Sequence, residues 1–396
     1  MRTLPDDKVD EVINIFVPES GTGCPKCEGH SLERTGESRE ENEIDVKVVT
    51  TKRKKIYNQL KCKDCGHIYY ENPNKGYYCQ NQYGPNLKAI TLSLINTGNM
   101  TINKVSSFFK GITNGVLSIS EGYIAKLQKQ AAQKIKPFKD DLYKRLVQQE
   151  LIYWDDTVVF VSKKRTCFRF YGNEGISYYT AHERKNLEGI IEDGVLTALK
   201  SNTKVEHDHN KVNYNEMFSF QNIECVQHLM RDLQKVADDT KIEEVRELKE
   251  FISQTIKERT EHISKGLEQF SKEYLNQFKE KLCEFVSKIE GICKEKIKMY
   301  GIGFVNTLIK RIKEYKENYF AWVYDFKLPT TNNLSERALR PIKSKMKISG
   351  QFQNIRSAKC FANLKTYIET CRKNGINEQI ALYHKRNFRI KSLIDV

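Results

Sequence analysis

Three successive regions are predicted for this 396-residue chain: a cysteine-clipped ribbon (1–75), a small all-α region (84–136) and an α/β domain (150–396) with a long helical insertion at about 235–322. Three observations predict this multidomain order. Two matched Cys-x-x-Cys pairs stand near the N-terminus. Six of the eight prolines fall between Pro5 and Pro137 and none follows until Pro329, so small units joined by turns give way to long uninterrupted elements. Four strand-like apolar runs then precede a sustained helical stripe.

The ribbon rests on Cys24-Pro-Lys-Cys27 and Cys62-Lys-Asp-Cys65, separated by a stretch rich in Val, Ile and Thr. Two such knuckles facing each other across a hairpin put four thiolates within tetrahedral reach of one Zn²⁺. Gly29 and Gly66 allow the tight turn at the end of each. Four thiolates close the coordination sphere and leave no place for a reacting water, so this zinc is expected to be structural. The 11 cysteines are an odd number without a secretory signal, which fits reduced thiols and metal binding rather than disulfides.

In the second region Pro85 opens a helix carrying Leu87, Ile90, Leu94 and Ile95. Thr101 caps a second with Ile102, Val105, Phe108 and Phe109. Ser118 or Ser120 caps a third with Tyr123, Ile124, Leu127 and Ala131. Short helices joined by glycine-containing turns suit a helix-turn-helix, which lays one helix in the DNA major groove. A plain three-helix bundle has the same pattern. The charge favours the DNA reading: 66 Lys and Arg against 51 Asp and Glu give +15, an excess that suits a polyanionic partner.

In the third region Leu151–Trp154, Thr157–Val161, Cys167–Tyr171 and Ile176–Thr180 read as successive strands. A helix is expected from Glu183 to Leu199 and a short strand at Lys204–His207. Between Met230 and Tyr319 apolar residues from Leu248 and Ile252 to Phe285 and Ile289 step by three, four or seven, one buried stripe on long helices with Lys/Glu faces in water. No run of 18 uncharged apolar residues occurs, and the N-terminus lacks a secretory pattern. A cytoplasmic, nucleoid-associated chain with no membrane partner is expected.

Three acids stand out by context. Asp155 and Asp156 lie inside an apolar strand, where carboxylates need a partner or a cation, and adjacent strand residues face opposite ways, so one of them serves a given site. Asp208 ends the strand at Lys204–His207, between His207 and His209, which are themselves a possible metal pair. Glu336 opens a helix followed by Arg337, Arg340, Lys343, Lys345 and Lys347.

These segments together resemble the insertion sequence 66 family of DDE transposases. The cysteine pairs are similar to the family's N-terminal finger, and Tyr83–Ala89 and Leu117–Gly122 to its helix-turn-helix region. Trp154-Asp-Asp-Thr157 resembles its first-aspartate motif, whose first acid is catalytic, which implies Asp155; Asp156 stands where Glu is more usual. His207-Asp-His209 with Tyr214 resembles the second-aspartate motif and implies Asp208, with Asp193 as competitor. Cys225–Leu233 is similar to the family's Cys-x-x-His-x-x-Arg-x-Leu segment and places His228 and Arg231 near the site. Asn332–Gly350 matches most closely and makes Glu336 the third acid.

The resemblance implies an RNase H-like catalytic domain whose three acids come from its first strand, its fourth strand and a late helix. It implies a transposase that cuts DNA at element ends and joins the freed 3′-hydroxyl to target DNA. Asp155, Asp208 and Glu336 would hold two Mg²⁺ (or Mn²⁺), hard ions that want oxygen ligands. Arg337, Arg340, Lys343, Lys345 and Lys347 would neutralise phosphates of double-stranded DNA, and His228 and Arg231 would orient a phosphate or nucleophile. The expected partners are DNA, further copies of the chain on that DNA and accessory proteins of the element. Two other readings share the features: a zinc-ribbon regulator that binds DNA without cutting, and a metal-dependent nuclease that does not join.

Overall fold

The computed structural model describes residues 24, 26–29, 37, 44–71 and 82–383. The chain divides into two compact units, residues 1–56 and 57–396. In the first, the Cys24 knuckle is a tight turn: Cys24 N donates to Gly29 O at 2.9 Å and Glu28 N to Cys24 O at 2.8 Å.

The second unit begins with a hairpin of β1 (Gln59–Lys61) and β2 (Ile68–Tyr70), and Cys62 and Cys65 sit in its turn. Cys62 N donates to His67 O at 2.8 Å and Gly66 N to Cys62 O at 3.0 Å. Gly66 has φ +73°, a conformation glycine adopts without strain.

Four helices follow: α1 (Pro85–Asn96), α2 (Ile102–Ile112), α3 (Glu121–Lys134) and α4 (Lys136–Leu146). Ser120 is the cap of α3, its hydroxyl accepting from Tyr123 N at 3.2 Å. The first three match the expected helices; α4 was not anticipated. They do not form a bundle with its own core. Ala89, Leu92, Leu127 and Ala131 share a hydrophobic core with Ile152, Trp154 and Val205. Ile95, Val105, Phe109 and Ile124 share another with Val159, Phe168 and Phe170. The reason lies in α1, which buries residues almost all round, from Ala89 to Asn96, and so needs cover on more than one side. The expected boundary between an α region and an α/β domain is therefore not a boundary in the packing.

The sheet contains β3 (Leu151–Val161), β4 (Lys164–Gly172), β5 (Ser177–His182), β6 (Lys204–His207) and β7 (Gln221–Glu224), in the order β5-β4-β3-β6-β7. β3, β4 and β5 are antiparallel neighbours, while β6 runs parallel to both β3 and β7. The two runs expected at Leu151–Trp154 and Thr157–Val161 are one strand. Ser162 and Lys163, at φ +48° and +65°, form the β3–β4 turn, two left-handed residues whose twist matches that of the hairpin. The helix expected at Glu183–Leu199 is shorter: α5 (Leu187–Asp193) stops at Gly194, and a 3₁₀ turn follows at Leu196–Ala198. Alternation along β3 sends Ile152 and Trp154 into one core and Val159 and Val161 into the other, so both faces of the sheet are covered.

The insertion leaves the sheet directly after β7. It consists of α6 (Val226–Thr240), α7 (Glu243–Ser264), α8 (Lys272–Glu295), α9 (Ile302–Glu314), α10 (Lys316–Tyr319) and α11 (Ala321–Tyr324). Most of the predicted stripe is its core, with Leu248, Ile252, Phe278, Leu282 and Ile289 buried around Trp322, while its Ile263 and Leu267 are exposed where α7 gives way to α8. Ser271 caps α8 by accepting from Tyr274 N at 3.1 Å, which breaks the stripe into two helices. At the neck, Val226 N donates to Thr330 O at 3.2 Å, so entry and exit meet. The chain then forms α12 (Asn333–Ser349), α13 (Ile355–Lys373) and α14 (Glu378–Tyr383). A mixed sheet with helices on both faces is compatible with the expected RNase H-like domain. Among the described residues, no helix is long and apolar enough to cross a membrane.

Candidate active site

Asp155 projects from the middle of β3, and its backbone neighbour on β4 is Phe170. Asp156 turns to the opposite face and pairs with Lys185 at 2.7 Å. Asp208 is the first residue beyond β6, the strand that runs parallel beside β3. Glu336 lies in the first turn of α12, where the helix dipole favours a carboxylate.

One buried residue ties these elements together. The side-chain amide of Asn332, just before α12, donates to Trp154 O at 3.1 Å and to Asp208 Oδ1 at 3.3 Å. His228 then links two of the acids: Nδ1 is 3.1 Å from Asp208 Oδ1 and Nε2 is 3.7 Å from Glu336 Oε1. Arg231, one helical turn further along α6, is 3.9 Å from Glu336 Oε1. The structure thus brings Asp208, Glu336, His228 and Arg231 together, with Asp155 on the neighbouring strand close enough to feel the charge of Asp208.

Electrostatics agree with that crowding. Burial and the charge of Asp208 push the Asp155 carboxyl up to about 7, against a weaker downward pull from Lys343. Burial also acts upward on Asp208, but the hydrogen bond and charge of His228, with the Asn332 amide, hold it below the usual carboxylate range. His228 is raised to about 10, first by its hydrogen bond to Asp208 and then by that to Cys225. A protonated imidazole therefore stands between Asp208 and Glu336, and Glu336 also faces the Arg231 guanidinium.

The basic run on α12 divides in two. Arg337, Arg340, Lys343 and Lys347 are exposed. Lys345, expected to meet phosphate, is buried at 6% exposure, and its amine donates to Asn99 O at 3.2 Å and Met100 O at 2.8 Å. It lies three residues beyond buried Ile342 on the inward face of α12, and burial pushes its pKa down to about 8. It pins the loop after α1 and does not reach solvent.

The competing acid Asp193 is consumed elsewhere. Its Oδ2 accepts from Arg169 at 2.6 Å, Thr180 at 2.8 Å and Tyr171 at 3.3 Å, and the Arg169 side chain is wholly buried. The His207/His209 pair is also occupied: His207 Nε2 meets Asn222 Oδ1 at 2.7 Å and His209 Nδ1 meets Glu224 Oε1 at 2.8 Å. Two site residues escaped the sequence reading of roles, Asn332 and Cys225. Cys225 Sγ accepts from Asn332 N at 3.2 Å. The signal for Asn332 was its place as a polar residue opening a helix; for Cys225 it was the three-residue step to His228.

In the two knuckles, backbone amides of Lys26 and Cys27 lower the Cys24 thiol, and those of Cys65 and Asp64 lower Cys62. Amides aimed at sulfur favour the thiolate, the form that binds metal.

A comparison with curated proteins finds no match. Residues 80–360 match the family described as Transposase IS66 family, a span that contains every strand of the sheet, the insertion and all three acids. The chain belongs to the IS66 family of transposases.

Proposed function

We propose that this DNA-acting enzyme cleaves element ends and joins them to target DNA by phosphoryl transfer, with Asp155, Asp208 and Glu336 as the catalytic acids. The observation that carries the reading is the linked set Asp155–Asp208–His228–Glu336, three carboxylates from separate elements in one electrostatic cluster. The donor set fits hard divalent ions: all three groups offer oxygen, and the mutual repulsion that raises Asp155 is what a bound cation relieves. Two Mg²⁺ held there would activate the attacking oxygen and stabilise the leaving one.

The chain's own residues supply the rest. Asn332 fixes the second acid relative to the first strand. His228 and Arg231 bear on Glu336 and are placed to hold a phosphate oxygen or the attacking group. Exposed Arg337, Arg340, Lys343 and Lys347 extend from Glu336 along α12 and would neutralise successive backbone phosphates. In the first step the oxygen of water bonds to phosphorus and a 3′-hydroxyl leaves. In the second step the oxygen of that hydroxyl would bond to a target phosphorus while the target strand's own 3′-oxygen leaves and takes up a proton. Cys24, Cys27, Cys62 and Cys65 would hold a structural Zn²⁺, which the amide-stabilised thiols of Cys24 and Cys62 favour.

The test is incubation of the protein with Mg²⁺, labelled element-end DNA and a target plasmid. Joined products support the proposal; nicks without joining point to a nuclease, and a gel shift without cleavage to a regulator. Asp155→Ala, Asp208→Ala and Glu336→Ala should each abolish chemistry and keep DNA binding. Cleavage retained in any of them removes that acid from the site.

A further inference from the structure

Cys225 has no part in a site built for hard ions. It is the residue before α6, buried at 2% exposure, and its sulfur lies beside Asp208 and His228. The Cys225 thiol, a ring nitrogen of His228 and a carboxylate oxygen of Asp208 all lie within 4.8 Å of one another. Small side-chain shifts bring such a set to the 2.0–2.3 Å bonds that zinc makes with nitrogen, oxygen and sulfur.

We propose that Cys225, His228 and Asp208 form a second metal site, of thiolate–imidazole–carboxylate type, which takes zinc-like divalent ions and competes with the hard ions for Asp208. Three features of the fold favour it. The Cys225-to-His228 step at the start of α6 puts both on one face of the first turn. The third ligand is held in register by backbone pairing, since Cys225 N donates to His207 O at 3.0 Å, next to Asp208. The Asn332 backbone amide points at the sulfur at 3.2 Å, the same amide-to-sulfur arrangement found in the two N-terminal knuckles. Asp208 and His228 side chains are each 33% exposed, so an ion has a route in.

The chemistry follows from ligand softness. A thiolate and an imidazole select zinc over magnesium, whereas Mg²⁺ requires oxygen. Three protein ligands leave a fourth position open, so the ion is exchangeable, unlike one enclosed by four thiolates. A bound zinc takes Asp208 and also draws His228 away from Glu336. The protein would then be silenced by free zinc and restored by a chelator. The inhibitory consequence rests on Asp208 being a hard-metal ligand; the soft site itself does not.

The test uses full-length, reduced, zinc-free protein titrated with Co²⁺ and read by the sulfur-to-cobalt charge-transfer band. Replacing Cys24, Cys27, Cys62 and Cys65 together by Ser removes the knuckle signal, and the remaining band should vanish when Cys225→Ser is added. His228→Gln in the same background should weaken cobalt binding at least about tenfold, a readout independent of how residue 225 packs. In the DNA assay, the zinc concentration giving half of each protein's own zinc-free rate should rise at least about tenfold in Cys225→Ser. Absence of a sulfur–cobalt band once the knuckle cysteines are replaced, or its survival in Cys225→Ser, overturns the site. A band with no zinc inhibition leaves the site standing and faults the assignment of Asp208 to catalysis.

Discussion

Replacing Asp193 by Ala tests which of two acids is structural and which serves the chemistry. Arg169 sits in the middle of β4 with its side chain wholly buried, and among the described residues its hydrogen-bond partners besides Asp193 are the carbonyls of Gly189 and Arg184. Removing one member of a buried pair leaves an uncompensated charge, which costs about 3–5 kcal/mol. The hydroxyls of Tyr171 and Thr180 lose their acceptor in the same step. For a body spanning residues 57–396 each kcal/mol moves Tm by roughly 1–2 °C, so Asp193→Ala should melt on the order of 5 °C below the parent. Asp208→Ala removes a carboxylate that is 33% exposed and repels Asp155, so its Tm should change by no more than about 1–2 °C. Circular-dichroism melts, with and without Mg²⁺, give the answer. Mg²⁺ should raise the Tm of the parent and of Asp193→Ala, and leave Asp208→Ala unmoved. An Asp193→Ala protein that melts with the parent yet has lost its Mg²⁺ response would refute the assignment of both acids.

Other consequences follow from the same groups. The Asp155 carboxyl titrates near 7 without metal and must lose its proton to bind a cation, so Mg²⁺ affinity, read by titration calorimetry, should rise with pH up to about 7 and then level off. Since that folded value lies above the unfolded one, the metal-free protein loses this group's contribution to stability as pH rises from about 4 to 7. Lys345, held down to about 8, binds fewer protons folded than unfolded between there and its ordinary value, so its contribution improves as pH rises. Urea midpoints should show the parent gaining about 1–2 kcal/mol on Lys345→Met between pH 8 and 9.5. In salt-dependent DNA binding, Arg340→Ala and Lys343→Ala should each reduce the log–log slope by about 1, whereas Lys345→Met should leave it unchanged.

The strands at Lys204–His207 and Cys167–Tyr171 were legible because alternating or continuous apolar residues meet clear turn signals. β7 was not, since Gln221 to Glu224 is short and polar at three of its four residues, and its buried Glu224 depends on Tyr214 and His209 for its hydrogen bonds. The α1–α3 helices were legible as helices, but whether they pack on one another or on a sheet is decided by residues far away in sequence. The acids show the same division. Their strand and helix settings were visible, yet nothing in their spacing says that Asn332 and His228 bridge them. Resemblance supplied the set, and only geometry separated Lys345 from its charged neighbours. A run of basic residues has one composition whether it faces phosphate or carbonyls; the helical period decides.

The hydrogen bond between Val226 and Thr330 has a lasting consequence for how this enzyme can change. A segment whose two feet stand side by side can be lengthened, shortened or exchanged without moving the ground on either bank. The spacing of Asp208 and Glu336 is therefore insulated from whatever the helices after α6 evolve to grip, while α6 itself must keep His228 and Arg231 beside the two acids.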